Sequence, residues 1–409
     1  MKFKAQGLSS YLLIGAVAIF HLGACSKNES ALDIAKNTLI VDTHIDVPYR
    51  LERKYQDISL STKGGDFDYP RALEGGLNAS FMSIYIPADV DQKGGGFDLA
   101  DKLIDSMEDI ANTNPEKFAM ATCTSDLITN FENKKISIAL GMENGGPIAG
   151  DMENLQHFYN RGVRYITLTH SKPNHISDSS YDTNQPWDGL SPFGKKLIGI
   201  MNDSGIMIDV SHLSDKAFWQ VIELSSSPII ASHSSLRHFT KNFERNMSDS
   251  MVKATASQGG VIQINFGSNF ISQATQDFGK KRNKAVAEYM TKEELSSDNP
   301  MTRQFLKEYL AVNPYPYATL DQVLDHIDRV VELGGIESVG IGSDFDGVGD
   351  SLPVGLKDVS DYPNLIDGLL HRGYQKVDIE KILGANLLRV WGEVETFSRD
   401  KGNPERCSQ

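Results

Sequence analysis

Eight short runs of apolar and β-branched residues, each bounded by turn or cap residues, most constrain the fold of this chain. The runs are TLIVDTHIDV, NASFMSIYIP, ISIALGMEN, VRYITLTH, IMIDVSH, PIIASHS, GVIQINF and SVGIGSDFD. Most are almost continuously apolar, which is typical of parallel strands that are covered on both faces. Helical patterns lie between most runs, so the sequence predicts a parallel sheet with right-handed crossovers.

The number of runs favours a closed (β/α)8 barrel of the TIM type over an open, doubly wound sheet. No G-x-G-x-x-G follows the first run, as it would in a dinucleotide-binding sheet. The polar and partly helical segment 271–317 is predicted to be an insertion after the seventh strand. We therefore expect one barrel domain over residues 37–398 and a C-terminal tail over residues 399–409.

The helix expected after the fourth run shows how start and stop signals frame these elements. In SPFGKKLIGIMNDSG, Ser191 is placed to cap the helix, Pro192 suits its first turn, and Gly205 marks its end. The final amphipathic stretch, KVDIEKILGANLLRVWGEVETF, is expected to be the helix that closes the domain.

The first 25 residues are predicted to be a signal segment outside the fold. Lys2 and Lys4 give it a positive start, YLLIGAVAIF is too short to span a bilayer comfortably, and LGAC ends at Cys25. This pattern resembles a bacterial lipoprotein signal, in which Cys25 would carry a lipid. The alternative is an ordinary secretory signal with a chance cysteine. Ser26, in place of Asp, implies the outer membrane of the cell envelope, facing the periplasm, and residues 26–36 are expected to be a polar tether.

The formal net charge of the 409-residue chain is −14, and there is no long basic run. Nucleic acid and anionic lipid are therefore poor partners for the folded surface. Two cysteines remain after the signal, Cys123 and Cys407. The sequence leaves open whether they pair within one chain, between chains or not at all, and two cysteines so far apart do not form a zinc cluster.

Chemistry-bearing side chains stand at the carboxyl ends of six of the eight runs. In chain order they are His44, Asp46, Glu143, His170, His212, His233 and Asp344. In a parallel barrel these strand ends meet at one rim, where barrel enzymes build their active sites. A lone histidine at a strand end is usually a hydrogen-bonded structural residue. Four histidines with three carboxylates at equivalent positions instead indicate a metal site.

The ligand types indicate the class of metal. Imidazole and carboxylate without thiolate suit Zn²⁺ or a similar divalent ion in an open catalytic site. Three of the histidines and two of the acids (His44, His212, His233, Asp46 and Glu143) are too many ligands for one four-coordinate ion that keeps a water. They suit two ions that share a carboxylate and a hydroxide. Glu143 is the natural bridge. The first ion would bind His44 and Asp46, and the second would bind His212 and His233.

Taken in order, the motifs THID, GMENGG, RYITLTHS, GLSPFG, IDVSHLS, SHSS, RN, GSDFDGV and NLLRVW resemble the renal, or membrane, dipeptidase family of zinc peptidases. The resemblance covers nearly the whole chain after the signal and implies a (β/α)8 barrel. It places the family's metal ligands on His44, Asp46, Glu143, His212 and His233. It also implies that His170 and Arg245 bind substrate and that Asp344 handles the proton in catalysis.

Four positions depart from the family pattern without altering a proposed ligand. Ile45 stands where Asn is common, Pro147 where many members have His, Gly267 where an aromatic residue is common, and Lys172 where Cys is frequent. These departures concern the lining of the pocket, so they bear on the preferred substrate side chains.

The resemblance implies a dinuclear zinc dipeptidase that forms free amino acids, often with a D residue at the C-terminal position of the substrate, and a homodimer. Asp344 would act as general base and then acid, with Glu143 and His170 completing the catalytic set and Arg245 fixing the substrate carboxylate. Asp209 is a candidate to orient His212 from behind. Two alternatives stay open: an N-acyl-D-amino-acid deacylase on the same site, and a peptide-binding envelope lipoprotein without catalysis.

Overall fold

A computed structural model of the chain describes residues 1–2, 29–403 and 407. Residues 3–28, which include most of the predicted signal segment and Cys25, lie outside the described residues. Within the part that is described, no helix combines the length and the apolar character needed to cross a bilayer.

All eight predicted runs form parallel strands of one sheet. The strands of the sheet are β1 (Ile40–Ile45), β2 (Leu77–Tyr85), β3 (Phe118–Met120), β4 (Ile136–Glu143), β5 (Val163–Thr167), β6 (Met207–Asp209), β7 (Ile230–Ala231), β8 (Val261–Ile264) and β9 (Val339–Ile341). Their order is β1-β2-β4-β5-β6-β7-β8-β9, and β3, which the sequence did not predict, pairs only with β4. A parallel bridge between Ile45 and Phe345 brings the last strand back to the first, so the predicted (β/α)8 barrel is confirmed.

Helices cover the outside of the barrel and one of its ends. They are α1 (Ala31–Asn37), α2 (Val47–Arg53), α3 (Tyr69–Gly75), α4 (Ala88–Gln92), α5 (Gly96–Thr113), α6 (Thr124–Glu132), α7 (Met152–Asn160), α8 (Pro192–Ser204), α9 (Asp215–Leu224), α10 (Asp249–Ser257), α11 (Ser268–Ile271), α12 (Gln273–Lys292), α13 (Pro300–Val312), α14 (Leu320–Gly334), α15 (Tyr362–His371), α16 (Lys376–Glu380) and α17 (Asn386–Asp400). Short helical turns lie at Gly146–Ile148, Ile336–Ser338, Val359–Asp361 and Lys381–Ala385.

The start and stop signals of α8 act as the sequence predicts. The Ser191 side chain accepts a hydrogen bond from the Gly194 amide, and Pro192 occupies the first turn. Gly205 ends the helix in a left-handed conformation with φ of 78°. Capped ends of this kind let a short helix return the chain to the next strand without unpaired backbone groups.

A second apolar core fills the inside of the barrel and is separate from the one beneath the outer helices. Val41, Ala79, Phe81 and Tyr165 belong to it, together with side chains of α17. Trp391 of α17 is fully buried, and its ring lies 5.2 Å from that of Phe81. The last helix therefore closes the barrel, as expected, and functional groups are left to the strands' carboxyl ends.

The chain departs from the predicted boundaries at its N-terminal end. The tether predicted over residues 26–36 is wrong in its second half, because Ala31–Asn37 form α1. Ser30 and Asp33 cap this helix reciprocally, and Ile34 and Ala35 are buried. A segment of seven residues with only two buried positions gives a weak apolar pattern, and so its sequence alone predicts a linker.

The other boundaries lie close to those predicted. The segment 271–317 follows β8, the seventh strand of the barrel order, and contains α12 and α13. Helix α17 runs to Asp400, two residues into the predicted tail. Cys123 and Cys407 form a disulfide, with Cα atoms 5.1 Å apart, so the described part of the tail is tied back to the start of α6.

Candidate metal centre

The barrel brings the seven predicted strand-end residues to one rim. Glu143 is the last residue of β4, and His44 is the last but one of β1. The other five lie one to three residues beyond the ends of their strands. Two of them have left-handed backbones, with φ of 71° at His212 and 64° at Asp344. That conformation is uncommon for residues other than glycine and turns each side chain sharply at the end of its strand.

Glu143 is the centre of the cluster, and its two carboxylate oxygens face different histidines. Oε1 lies 3.1 Å from Nε2 of His212, 3.4 Å from Nε2 of His233 and 3.5 Å from Nε2 of His170. Oε2 lies 3.5 Å from Nε2 of His44. The Nε2 atoms of His212 and His233 are themselves 2.9 Å apart. One carboxylate therefore stands between the Nε2 atom of His44 on one side and those of three other histidines on the other.

Two further carboxylates complete the side of the cluster that faces Oε2. Asp46 Oδ2 lies 3.5 Å from Nε2 of His44. A carboxylate oxygen of Asp344 joins them in a group whose ligand atoms all lie within 4.8 Å of one another. The pair His44 and Asp46, predicted from their positions two residues apart, thus meets in space even though Asp46 lies just beyond the end of β1.

The charges of these groups suit a cation. Burial opposes ionisation of Glu143, but the imidazoles around it, those of His170 and His44 foremost, hold its pKa well below the usual range. Burial also lowers the pKa of His212 and of His233 well below the usual value, and nearby cationic groups act in the same direction. The two rings are therefore neutral at pH 7, as metal ligands must be.

The donor set fits divalent metal ions. His44 Nε2 is buried and has no hydrogen-bond partner in the described part of the chain, although it points at Glu143 and Asp46. A buried nitrogen without a partner costs free energy unless a ligand occupies it. Nitrogen and oxygen donors that converge in this way are the ligands expected for zinc and related ions. The chain has a metal cofactor site at this rim.

Asp344 has the surroundings of a group that exchanges a proton. It is almost fully buried, and that burial, with the negative charge of Asp46, raises the pKa of the Asp344 carboxyl well above its usual range. Its Oδ2 accepts a hydrogen bond of 2.7 Å from Nδ2 of Asn265. Asn265 was not among the predicted site residues, although it directly follows the apolar run GVIQI, and the strand-end rule used for the others would have found it.

Arg245 is buried close to the cluster and held by two contacts. Nη1 donates to Ser234 Oγ at 2.7 Å, and Nη2 donates to the carbonyl of His233 at 2.8 Å. Its guanidinium carbon lies 5.3 Å from the centre of the Phe270 ring. The Nε atom has no partner among the described residues, and Arg245 itself does not line the cavity above the cluster.

A cavity of about 1040 Å³ opens over the cluster. Site residues that line it include Asp46, Glu143, His170, His212 and Asp344. The cavity has ample room for a small peptide, since ligand pockets of 300–1,000 Å³ accept drug-sized molecules.

One departure from the family pattern lines this cavity, and a second lies next to a residue that lines it. Gly267 leaves no room for a side chain, because a Cβ there would lie 2.9 Å from the ring of Phe270. Phe270 itself lines the cavity, so an aromatic group is supplied three residues later in the chain. Lys172 also lines the cavity, and its Nζ pairs with Asp182 at 3.0 Å.

Comparison with known proteins identifies one family. The sequence profile described as "Membrane dipeptidase (Peptidase family M19)" matches residues 28–405. An uncharacterized dipeptidase of Schizosaccharomyces pombe is 32% identical over 384 residues, which cover 89% of this chain and 82% of the yeast protein. A second uncharacterized dipeptidase of that yeast is 28% identical, over 97% of this chain and 92% of its own length.

Solved structures of similar proteins share the fold. The probable dipeptidase PvdM of Pseudomonas aeruginosa is 27% identical and superposes with a TM-score of 0.75, over 90% of this chain and 98% of PvdM. A metallopeptidase of Rhodobacter sphaeroides, solved with a phosphinate mimic of L-Ala-D-Ala, is 22% identical and has a TM-score of 0.71, over 88% of this chain and all of its own. With its metal-binding rim and the family match across the barrel, the chain belongs to the membrane dipeptidase family, peptidase family M19, and is a metal-dependent hydrolase of peptide bonds.

Proposed function

We propose that the chain is a dinuclear zinc dipeptidase. The observation that carries this proposal is the position of Glu143, whose Oε1 faces the Nε2 atoms of His212 and His233 while its Oε2 faces Nε2 of His44. Glu143 would be a ligand of both ions, with His44 and Asp46 completing the first site and His212 and His233 the second. When bound, such a pair of ions supplies a hydroxide nucleophile at neutral pH and polarises the substrate carbonyl.

The side chains around the two ions have separate tasks in this proposal. Asp344 accepts the proton of the nucleophile and passes it to the leaving amine, acting first as base and then as acid. Asn265 donates to Oδ2 of Asp344 and so leaves Oδ1 free for the proton. His170, which lies beside Glu143 and lines the cavity, donates a hydrogen bond to the substrate carbonyl oxygen.

Arg245 is the group that we assign to the C-terminal carboxylate of the substrate. Its two Nη atoms are held by Ser234 and His233, so the guanidinium is fixed in place, and its Nε–H has no partner among the described residues. A fixed cation that recognises a carboxylate one residue from the scissile bond would restrict the enzyme to short peptides. Arg245→Lys should then raise KM for dipeptides more than it lowers kcat.

The substrate that we propose is a dipeptide with a free amino group, including dipeptides with a D residue at the C-terminal position. The Rhodobacter metallopeptidase of the same fold carries a mimic of L-Ala-D-Ala, which is why L-D dipeptides belong in the test. The second candidate is an N-acyl-D-amino-acid deacylase, in which an acyl group replaces the first residue. Both reactions would use the same metal centre, so substrates must separate them.

The experiment uses the detergent-solubilised full chain loaded with zinc and measures release of free alanine. Gly-D-Ala and N-acetyl-D-Ala form a matched pair, because they differ only in the amino group, and Gly-L-Ala tests the stereochemistry. Chelator-sensitive cleavage of the glycyl compounds supports the dipeptidase. Cleavage confined to N-acetyl-D-Ala moves the assignment to a deacylase. A protein that takes up no metal and cleaves neither compound would favour a peptide-binding lipoprotein.

We further propose that the protein is a homodimer anchored by a lipid on Cys25 to the outer membrane, facing the periplasm. The disulfide between Cys123 and Cys407 supports an oxidising compartment, because such bonds rarely persist in the cytosol. Cys25→Ser should move the protein from the membrane fraction to the soluble fraction of the bacterial envelope. Continued membrane association of that variant would contradict the anchor, and sedimentation of the detergent-solubilised protein as a monomer would contradict the dimer.

A further inference from the structure

The ring nitrogens that point away from the candidate metal centre decide whether its histidines can bind a metal. A neutral imidazole has one N–H and one lone pair, and it coordinates through the nitrogen that carries the lone pair. The hydrogen-bond partner of the opposite nitrogen therefore selects the tautomer. The three proposed ligand histidines differ in this respect.

His44 is held by the phenol of Tyr165. Nδ1 of His44 lies 2.8 Å from the Tyr165 hydroxyl, and that hydroxyl donates to the carbonyl of Thr43 at 3.0 Å. A carbonyl can only accept, so the single phenolic proton is used in that bond. The phenol oxygen must then accept the Nδ1–H of His44, which leaves the lone pair on Nε2, the atom that faces Glu143 and Asp46.

The position of Tyr165 is built into the barrel. Its ring is fully buried in the inner core, and it lies against the backbone of Gly141 on β4. A Cβ at Gly141 would lie 2.0 Å from Cζ of the Tyr165 ring. Any side chain at position 141 would therefore displace the phenol ring. Glycine at this position leaves the space in which the Tyr165 hydroxyl contacts His44.

His233 is held in the same way by a different group. Its Nδ1 lies 2.7 Å from Oγ of Ser232, and that hydroxyl donates to Oδ2 of Asp209 at 2.6 Å. Because the Ser232 proton is used on the carboxylate, Oγ accepts the Nδ1–H of His233. The lone pair of His233 is again left on Nε2, which faces Glu143.

Asp209 is fixed by further donors and not by His212. Its Oδ1 accepts from the amides of Ser211 and Ser232, at 3.0 and 2.7 Å, and its Oδ2 also accepts from Thr167 Oγ1 at 2.5 Å. The prediction that Asp209 orients His212 is therefore wrong. Nδ1 of His212 is buried and has no partner among the described residues.

We infer that Tyr165 and Ser232 are positioning residues that hold His44 and His233 in the Nδ1–H tautomer, one for each ion of the proposed pair. This inference rests on the ligand set of the proposed function. Each hydroxyl donates its one hydrogen bond to a fixed acceptor, the Thr43 carbonyl or the Asp209 carboxylate, and so can only accept a hydrogen bond from the imidazole. The two ions should then depend on different hydroxyl groups.

The experiment measures zinc dissociation constants by chelator competition, together with imidazole ¹⁵N spectra of the zinc-free full chain. Tyr165→Phe and Ser232→Ala each remove one hydroxyl. Tyr374→Phe is the matched control for the first, because the Tyr374 hydroxyl donates to Oδ1 of Asp328 at 2.7 Å and Asp328 is not part of the metal centre. Ser398→Ala is the control for the second, because the buried Ser398 hydroxyl donates to the carbonyl of Asp203 at 2.8 Å.

We expect Tyr165→Phe to weaken one of the two ions about 10- to 100-fold and Ser232→Ala to weaken the other by a similar factor. The ¹⁵N signals of His44 and His233 should report Nδ1–H in the wild type and mixed tautomers in the respective variants. Unchanged zinc affinity in both variants would overturn the inference, as would equal losses in the controls. If Tyr165→Phe does not fold, Ser232→Ala carries the same test.

The spectra also separate this inference from the proposed function. Wild-type protein that binds fewer than two zinc ions would contradict the dinuclear site while the ¹⁵N spectra still report the tautomers. A proton on Nε2 alone, with Nδ1 unprotonated, on His44 or His233 in the zinc-free wild type would overturn the positioning role directly, whatever the metal content.

Discussion

Asp344 shows how one residue combines a strained backbone with an unusual environment. It follows β9 by three residues with φ of 64°, lies buried beside Asp46, and accepts a hydrogen bond from Asn265. Burial and the neighbouring acid raise the pKa of its carboxyl well above the usual range. The end of β9 thus supplies a carboxyl with a raised pKa and the backbone turn that directs this carboxyl toward the metal centre.

Replacing Asp344 by Asn should lower kcat by about 100- to 10,000-fold, because the amide cannot take up the proton. Both metal ions should stay bound, since Asp344 is not one of the five proposed ligands. The measurement is turnover of a dipeptide together with zinc per chain. Turnover within tenfold of the wild type would remove the proton role of Asp344, and loss of an ion would make Asp344 a ligand.

His326 is a buried histidine remote in sequence from the metal ligands, and it predicts a pH dependence of stability. Its Nδ1 accepts from the Leu236 amide at 3.0 Å, and its Nε2 donates to the Ile271 carbonyl at 3.1 Å. Burial lowers the pKa of His326 to about 4, against the weaker effect of the bond to Ile271. The folded protein therefore keeps this ring neutral at pH values where the unfolded chain protonates it.

The contribution of His326 to stability is complete above pH 6.5 and is lost as the pH falls from 6.5 toward 4. Between pH 7 and pH 5 the loss amounts to about 2 kcal/mol. Urea unfolding of the wild type and of His326→Gln at both pH values measures it. The variant should lose about 2 kcal/mol less on acidification than the wild type. Equal losses in the two proteins would show that His326 does not titrate in this way.

At the scale of elements, α1 shows that the folded domain begins earlier than the sequence suggested. The helix is capped by Ser30 and packs against α15. Ile34 is 1% exposed, whereas Leu32 on the other face is 50% exposed. The two residues therefore offer a matched pair of truncations within one helix.

Ile34→Ala should lower the free energy of unfolding by about 2–4 kcal/mol, because it leaves a cavity in a packed core. Leu32→Ala should change it by less than about 0.5 kcal/mol, because that side chain already contacts solvent. Urea midpoints of both variants test this difference. Equal and negligible effects would mean that residues 31–37 are a tether after all.

The elements that were predictable are those with a long buried pattern. The eight barrel strands carry apolar runs, and their polar ends lie at one rim because the strands are parallel. β3 has three residues and pairs only with β4, so no long run marks it. Tyr165 lies within the run VRYITLTH and reads as an ordinary core residue, because its contact with His44 joins positions 121 residues apart. Side-chain contacts of that kind depend on packing that a sequence pattern does not contain.

At the scale of the whole molecule, the C-terminal segment holds the barrel together from outside the metal centre. Side chains of α17 pack into the inner core of the barrel, and Cys407, a few residues further on, is joined to Cys123 across 284 residues of sequence. A link over so long a segment restricts the unfolded chain far more than the folded one. The disulfide should therefore affect stability without touching the chemistry.

Cys407→Ser should lower the free energy of unfolding by about 2–4 kcal/mol under oxidising conditions. After reduction the wild type and the variant should unfold at the same urea concentration, because the link is then absent from both. Dipeptide turnover should stay unchanged in either state. A variant as stable as the oxidised wild type would show that the disulfide contributes nothing to folding.

Anomalous diffraction at the zinc edge, from crystals of the zinc-loaded protein, would count and locate the ions at the metal centre. Two peaks about 3.5 Å apart should flank Glu143, one beside His44 and Asp46 and the other beside His212 and His233. A single peak, or peaks that do not share Glu143, would contradict the account of a dinuclear dipeptidase.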